Sequence, residues 1–143
     1  MEYTVKVDEY GNVKYYKLGT DILHREDGPA VEWASRDKTW FKEGKRHREG
    51  GPAEEYSDGA ESWFINGKLH REDGPAIIRS GYKAWYKEGV RHREDGPAIE
   101  YDDGRKQWYI EDKALSEEEF KNRTKEARVR TFTVPKGTTQ IRI

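Results

Sequence analysis

The sequence predicts a mainly β protein, an antiparallel meander of β-hairpin repeats of 22–23 residues with one short C-terminal helix and a terminal β-hairpin. Three observations predict it. The stretch "HREDGPA" occurs at 24–30, 70–76 and 92–98, and "HREGGPA" at 47–53; a fixed period of this size marks a chain built from stacked supersecondary units. Each unit carries two short strand-like stretches separated by turn signals. Aromatic residues make up 13% of a chain that is only 33% hydrophobic and 38% charged. A thin core is then built from rings, each of which removes roughly 150–250 Å² from water when buried.

The elements follow in order. A degenerate first unit covers 3–23, "YTVKVDEYGNVKYYKLGTDIL", with Tyr15-Tyr16 in the place that Trp40-Phe41 takes later. Fuller units fill 24–115 and open at His24, His47, His70 and His92. The first strand of each follows the proline: "AVEW", "AEEY", "AIIR", "AIEY". The second holds an aromatic pair: "KTWFK", "ESWFI", "KAWYK", "KQWYI". Ser57-Asp58-Gly59, Ser80-Gly81 and Asp102-Asp103-Gly104 stand between them, and Asp-Gly favours a tight hairpin because Gly accepts φ > 0. A further turn follows at Glu43-Gly44, Asn66-Gly67 and Glu88-Gly89. The expectation is one hairpin per unit and about ten to twelve strands in all.

Neighbouring residues of a strand point to opposite faces. Trp40, Trp63, Trp85 and Trp108 therefore line one face, and Phe41, Phe64, Tyr86 and Tyr109 the other. The tryptophan column, the same residue in every fuller unit, is the expected core. The Phe/Tyr column is the candidate ligand face, where packing competes with a role as a stacking platform for bases.

Residues 116–143 form the expected cap of a single domain spanning 1–143. Ser116 with Glu119 is a capping box, which predicts a helix over about 116–126 anchored by Leu115 and Phe120 and closing the ladder. "RVRTFTV" then alternates, and "PKGTTQIRI" supplies a turn and a last strand. Arg128, Arg130 and Phe132 are candidate interaction residues there, for dimerisation or partner capture by strand pairing.

A net charge of -1 argues against bulk nucleic-acid binding and against attraction to anionic lipid. There is no cysteine, hence no disulfide framework or thiolate metal site. The first residues lack the basic-then-apolar pattern of a secretory signal, and no stretch approaches the roughly 20 apolar residues that span a bilayer. A cytoplasmic protein is expected.

The repeated loop offers His24, His47, His70 and His92 with Arg25, Arg48, Arg71 and Arg93 as candidate binding residues. Metal binding is disfavoured. Equivalent residues of successive hairpins sit two strands apart, roughly 10 Å, whereas ligands lie about 2.1 Å from their metal. No catalytic residue, metal ligand or cofactor is assigned, because catalysis needs one converging cluster and not a row. The structural reading is a joint between hairpins. Asp27, Asp73 and Asp95 fix the turn, Gly28, Gly51, Gly74 and Gly96 supply unusual backbone angles, and the prolines set φ for the next strand. The functional reading is an Arg/His edge for phosphates or an acidic protein strip.

The form Trp-Tyr-x-x-Gly-x-x-His-Arg-x-Asp-Gly-Pro-Ala resembles a variant of the MORN-type β-hairpin repeats. It resembles above all uncharacterised repeat proteins of bacteriophages and large viruses. That resemblance spans roughly 3–120 and implies a scaffold or binding surface without common catalytic residues. The Tyr-x-Gly pattern of standard MORN repeats is missing, so their lipid binding is not carried over. The function expected from the resemblance is a viral module that binds a host protein in the host cytoplasm, with counter-defence as its context. The alternatives are a protein that sequesters a small nucleotide and, last, an enzyme. No membrane partner is expected, and homo-oligomers through edge strands are a further expectation.

Overall fold

The computed structural model describes residues 2–130, with side chains as far as Lys125. The chain enters through β1 (Tyr3–Val7) and β2 (Val13–Lys17). The unit opened by His24 contributes β3 (Val31–Glu32), β4 (Lys38–Thr39), β5 (Phe41–Lys42) and β6 (Lys45–Arg46). The next contributes β7 (Glu54–Glu55), β8 (Glu61–Ser62), β9 (Phe64–Ile65) and β10 (Lys68–Leu69). The third gives β11 (Ile77–Arg79), β12 (Tyr82–Ala84), β13 (Tyr86–Lys87) and β14 (Val90–Arg91). The last gives β15 (Ile99–Tyr101), β16 (Lys106–Ile110) and β17 (Lys113–Leu115), and α1 (Glu117–Arg130) follows.

One antiparallel meander of 11 strands runs β1-β2-β3-β4-β7-β8-β11-β12-β15-β16-β17. Beside it stand three two-stranded ladders, β5-β6, β9-β10 and β13-β14. The mainly β class is as expected. The unit is not: it holds two hairpins, because the expected second strand breaks at its tryptophan. Lys38–Thr39 pairs back with β3, while Phe41–Lys42 pairs forward with β6. The break has a backbone cause. Trp40, Trp63 and Trp85 each donate N–H to an alanine carbonyl of the following unit, at 2.7 Å in every case. Their carbonyls accept from the amides of His47, His70 and His92 at 3.0–3.1 Å. Trp108 has no following unit, and β16 runs through it unbroken, pairing Trp108 with Leu115.

The second hairpin of each unit turns on two residues with positive φ: Glu43-Gly44 (51° and 76°), Asn66-Gly67 (49° and 81°), Glu88-Gly89 (49° and 85°) and Glu111-Asp112 (48° and 68°). Such two-residue turns match the twist of the flanking strands. Glutamate in the left-handed region carries a steric cost, so these turns need support from outside, which the histidines supply.

The core is narrow. Ala30, Ala53, Ala76 and Ala98 are all 0% exposed. The register strings Val31, Thr39, Glu54, Ser62, Ile77, Ala84 and Ile99 into one cross-strand column beside them. Against Ile77, Ala84 and Ile99 pack Leu69, Tyr82, Tyr86, Tyr101 and Tyr109. This corrects the assignment of faces. Alternation holds across Thr39-Trp40-Phe41, but Tyr86 and Tyr109 of the Phe/Tyr column pack on this core and the tryptophans lie on the opposite face. The small residue before Trp40, Trp63 and Trp85 (Thr39, Ser62 and Ala84, all buried) lets the strands close on that side.

At the far end, both capping-box bonds form: the Ser116 amide donates to Glu119 Oε1, and the Glu119 amide to Ser116 Oγ, each at 3.0 Å. Phe120 is buried where α1 meets β16 and β17. The helix is longer than expected and takes in Arg128 and Arg130, which were placed in a strand. Lys125, Glu126, Ala127 and Arg128 are good helix formers, and nothing there stops the helix. Phe132 and the expected terminal hairpin lie outside the described residues. Ser116→Ala removes the N-cap and is expected to cost about 1 kcal/mol, read as an earlier midpoint in urea unfolding followed by circular dichroism.

Candidate functional site

Each HRED loop is built around its arginine. The guanidinium lies over an aromatic ring: its Cζ is 3.9 Å from the ring centre for Arg48 over Trp40 and Arg93 over Trp85, 3.7 Å for Arg71 over Trp63, and 3.9 Å for Arg25 over Tyr15. A glycine closes its other side. A Cβ on Gly28, Gly51, Gly74 or Gly96 would come within 2.9–3.0 Å of the arginine Cζ. None of these glycines has positive φ, so close approach, and not an unusual backbone angle, is what excludes a side chain there.

The edges of the guanidinium are also engaged. Nε donates to Asp27, Asp73 and Asp95 at 2.8–2.9 Å. Nη1 donates to the carbonyls of Pro29, Pro52, Pro75 and Pro97 at 3.0–3.2 Å. It also reaches Glu32, Glu55 and Glu100. Two units depart from this pattern. Gly50 leaves Arg48 without the aspartate, and Ile78 stands where the second carboxylate of Arg71 would be. Ring stacking of this kind contributes about 0.5–2 kcal/mol, and four such stacks run along the molecule.

Each histidine ties the opening loop of its unit to the second hairpin of the same unit. Nδ1 of His24, His47, His70 and His92 accepts the amide of Glu43, Asn66, Glu88 and Glu111, at 2.9–3.0 Å. These are the residues that open the left-handed turns. The bond places the imidazole proton on Nε2, which faces Glu26, Glu49, Glu72 and Glu94 at 2.9–3.5 Å. One backbone bond runs parallel to it in every unit: the amide of each loop arginine reaches the carbonyl of Phe41, Phe64, Tyr86 or Tyr109, all at 3.2 Å.

The outward surface of the loops is therefore acidic. Asp73 is 81% exposed while its partner Arg71 is 18% exposed. Open clefts separate successive loops; one, about 640 Å³, is lined by Arg71, Asp73, Trp85, His92, Arg93 and Asp95. The arginine hydrogen bonds hold the Asp27 and Asp73 carboxyls below the ordinary carboxylate range, as the Lys17 hydrogen bond does for Glu43. A lowered folded-state pKa stabilises the fold above the unfolded value and is lost as pH falls through the folded value. Stability should thus hold above about pH 4 and decline below it, which urea unfolding measured at stepped pH will show. A flat profile between pH 5 and the acid limit would remove these pairs from the account.

The Phe/Tyr column is half-buried. Arg46 bridges Phe41 and Phe64, at 5.8 and 5.6 Å from the ring centres, and Arg91 lies 4.2 Å over Tyr109. Beyond the core column lies a row that the sequence reading missed: Tyr56, Arg79, Tyr82, Tyr101 and Arg105. Tyr82 and Tyr101 are 6.0 Å apart, and Arg105 covers Tyr101 at 4.3 Å. The signal was two-residue spacing. Tyr56, Arg79 and Tyr101 end the first strand-like stretches, two places after core positions and so on the same face.

Among the described residues, no group of three or more His, Asp or Glu is arranged to hold a metal ion, and no helix is long and apolar enough to cross a membrane. Comparison of the chain with protein-family profiles, with curated proteins and with solved structures finds no match.

Proposed function

We propose that the chain is a non-enzymatic protein-interaction module that engages its partner through the face carrying Tyr56, Arg79, Tyr82, Tyr101 and Arg105. One observation carries this reading: half-buried tyrosines, two of them packed directly on the core, stand in one row with exposed arginines, on a surface rather than in an enclosed cavity. Tyrosine and arginine dominate binding energy at protein interfaces, and rings already held by a core lose little freedom on binding. The resemblance to repeat proteins of phages and large viruses makes a host protein the expected partner, with counter-defence as the context. A nucleotide-sequestering role has weaker support, because the loop arginines already hold carbonyls and carboxylates of their own units.

The test is native mass spectrometry of the protein after incubation in bacterial lysate, run beside the double variant Arg79→Ala/Tyr82→Ala. Added mass of tens of kilodaltons on the parent and its loss on the variant, with circular dichroism unchanged, is the expected result. Added mass of a few hundred daltons on both would overturn the reading in favour of a small ligand.

A further inference from the structure

The two ends of the long sheet differ. At one end α1 lies over β16 and β17; at the other, among the described residues, β1 pairs only with β2. β1 is five residues long, pairs without a bulge, and leaves Val5 48% and Val7 67% exposed. It contains no proline. Natural edges of this kind are normally blunted, because a row of free N–H and C=O groups templates a further strand.

The direction of those groups follows from the neighbouring strand. The Tyr15 amide donates to Ala30 at 2.7 Å and its carbonyl accepts from His24 at 3.0 Å, both away from β1. Val5 stands opposite Tyr15, so its own N–H and C=O point to the free edge. By alternation, Tyr3 and Val7 present theirs the same way.

We propose that this edge is the interface of a homodimer, in which β1 pairs antiparallel with β1 of a second copy about a two-fold axis at Thr4. Charge, within the length of β1 (Tyr3–Val7), favours a second copy and one register. The outward groups allow only odd residues to pair with odd ones. An axis at Thr4 bonds Tyr3 to Val5 of the second copy and sets Glu2 opposite Lys6, twice by symmetry. An axis at Val5 instead sets Glu2 opposite Asp8, and one at Lys6 sets Lys6 against itself. Like charges directly opposite are destabilising and unlike ones favourable. Lys6 already stands opposite Lys14; it pairs with Asp21 at 3.1 Å and lies over the Tyr16 ring at 5.0 Å. An ammonium has three donors, so a second carboxylate is accepted without losing the first. The interface is closed: a two-fold pairing uses up the open edge of each copy, and the other end of the sheet carries α1, packed on β16 and β17.

The test is sedimentation velocity of the full chain over a concentration series. The parent is expected to reach twice its 16.8 kDa mass. Val5→Pro, which deletes an outward N–H without touching the bonds to β2, should be monomeric with an unchanged far-ultraviolet spectrum. Glu2→Lys should weaken the dimer about tenfold, and Glu2→Lys/Lys6→Glu should restore it, an outcome that does not depend on how Val5→Pro folds. A parent that stays monomeric at every concentration, or a charge swap that restores nothing after Glu2→Lys has weakened the dimer, overturns the proposal. None of these variants touches the Tyr/Arg row, so partner binding and dimerisation fail separately.

Discussion

Trp63→Ala is expected to lower the unfolding free energy by about 3 kcal/mol, the largest effect of any single truncation in the loops. Three things go at once. The ring that carries Arg71 at 3.7 Å disappears. So does the Nε1 bond to Glu61, at 3.1 Å. The backbone at the joint between the two hairpins also loses the bulk that keeps water from the bond between Trp63 and Ala76. Packing deletion alone does not separate these, but a double-mutant cycle with Arg71→Ala does: stacked partners should show a coupling of about 1 kcal/mol. Arg71→Lys is the sharper control. Lysine keeps the charge but lacks the planar fork that lies between Trp63 and Gly74, so it should lose most of what alanine loses. Urea unfolding read by tryptophan fluorescence and circular dichroism gives all four corners. If Arg71→Lys matches the parent, charge and not the stack holds the loop.

The same stack shows where a sequence stops being readable. The period, the turns and the capping box are local, and each appears in the chain as expected. Alternation correctly separated Trp40 from Phe41, but a two-residue period says only that two faces differ, not which one is buried. That choice depended on the residues flanking the pair. Thr39, Ser62 and Ala84 are small and sit beside Val31, Ile77 and Ile99, whereas Trp40, Trp63 and Trp85 each have an arginine eight residues later to cover them. The break of each strand at tryptophan was out of reach for a different reason. The acceptor of its amide is an alanine in the next unit, and nothing within the strand itself announces that bond. Gly28 and its equivalents were read as turn glycines, when the guanidinium behind them is what forbids a side chain.

Glu54→Ile is expected to stabilise the protein by about 1–3 kcal/mol. The cross-strand column that holds Val31, Ile77 and Ile99 places Glu54 at the same position in the second unit, where its side chain is only 15% exposed. The carboxylate is kept there by Arg46, at 3.0 Å, and by the Tyr56 hydroxyl, which donates to it. Desolvating a charge costs more than such partners usually return, and an aliphatic residue of similar volume avoids the cost. Burial, then the bond to Glu54, pushes the Tyr56 phenol up to about 12. A folded-state pKa raised above the unfolded value of about 10 stabilises the fold fully below that value and loses it as pH rises through the folded one. The parent should therefore weaken on going from about pH 9 to about pH 12, and Glu54→Ile should weaken less. Urea unfolding at neutral and alkaline pH measures both effects on the same samples. Destabilisation by Glu54→Ile at neutral pH would mean that the Glu54–Arg46–Tyr56 cluster does more than tolerate a misplaced charge. The second unit would then differ from its neighbours for the sake of the face that Tyr56 opens onto.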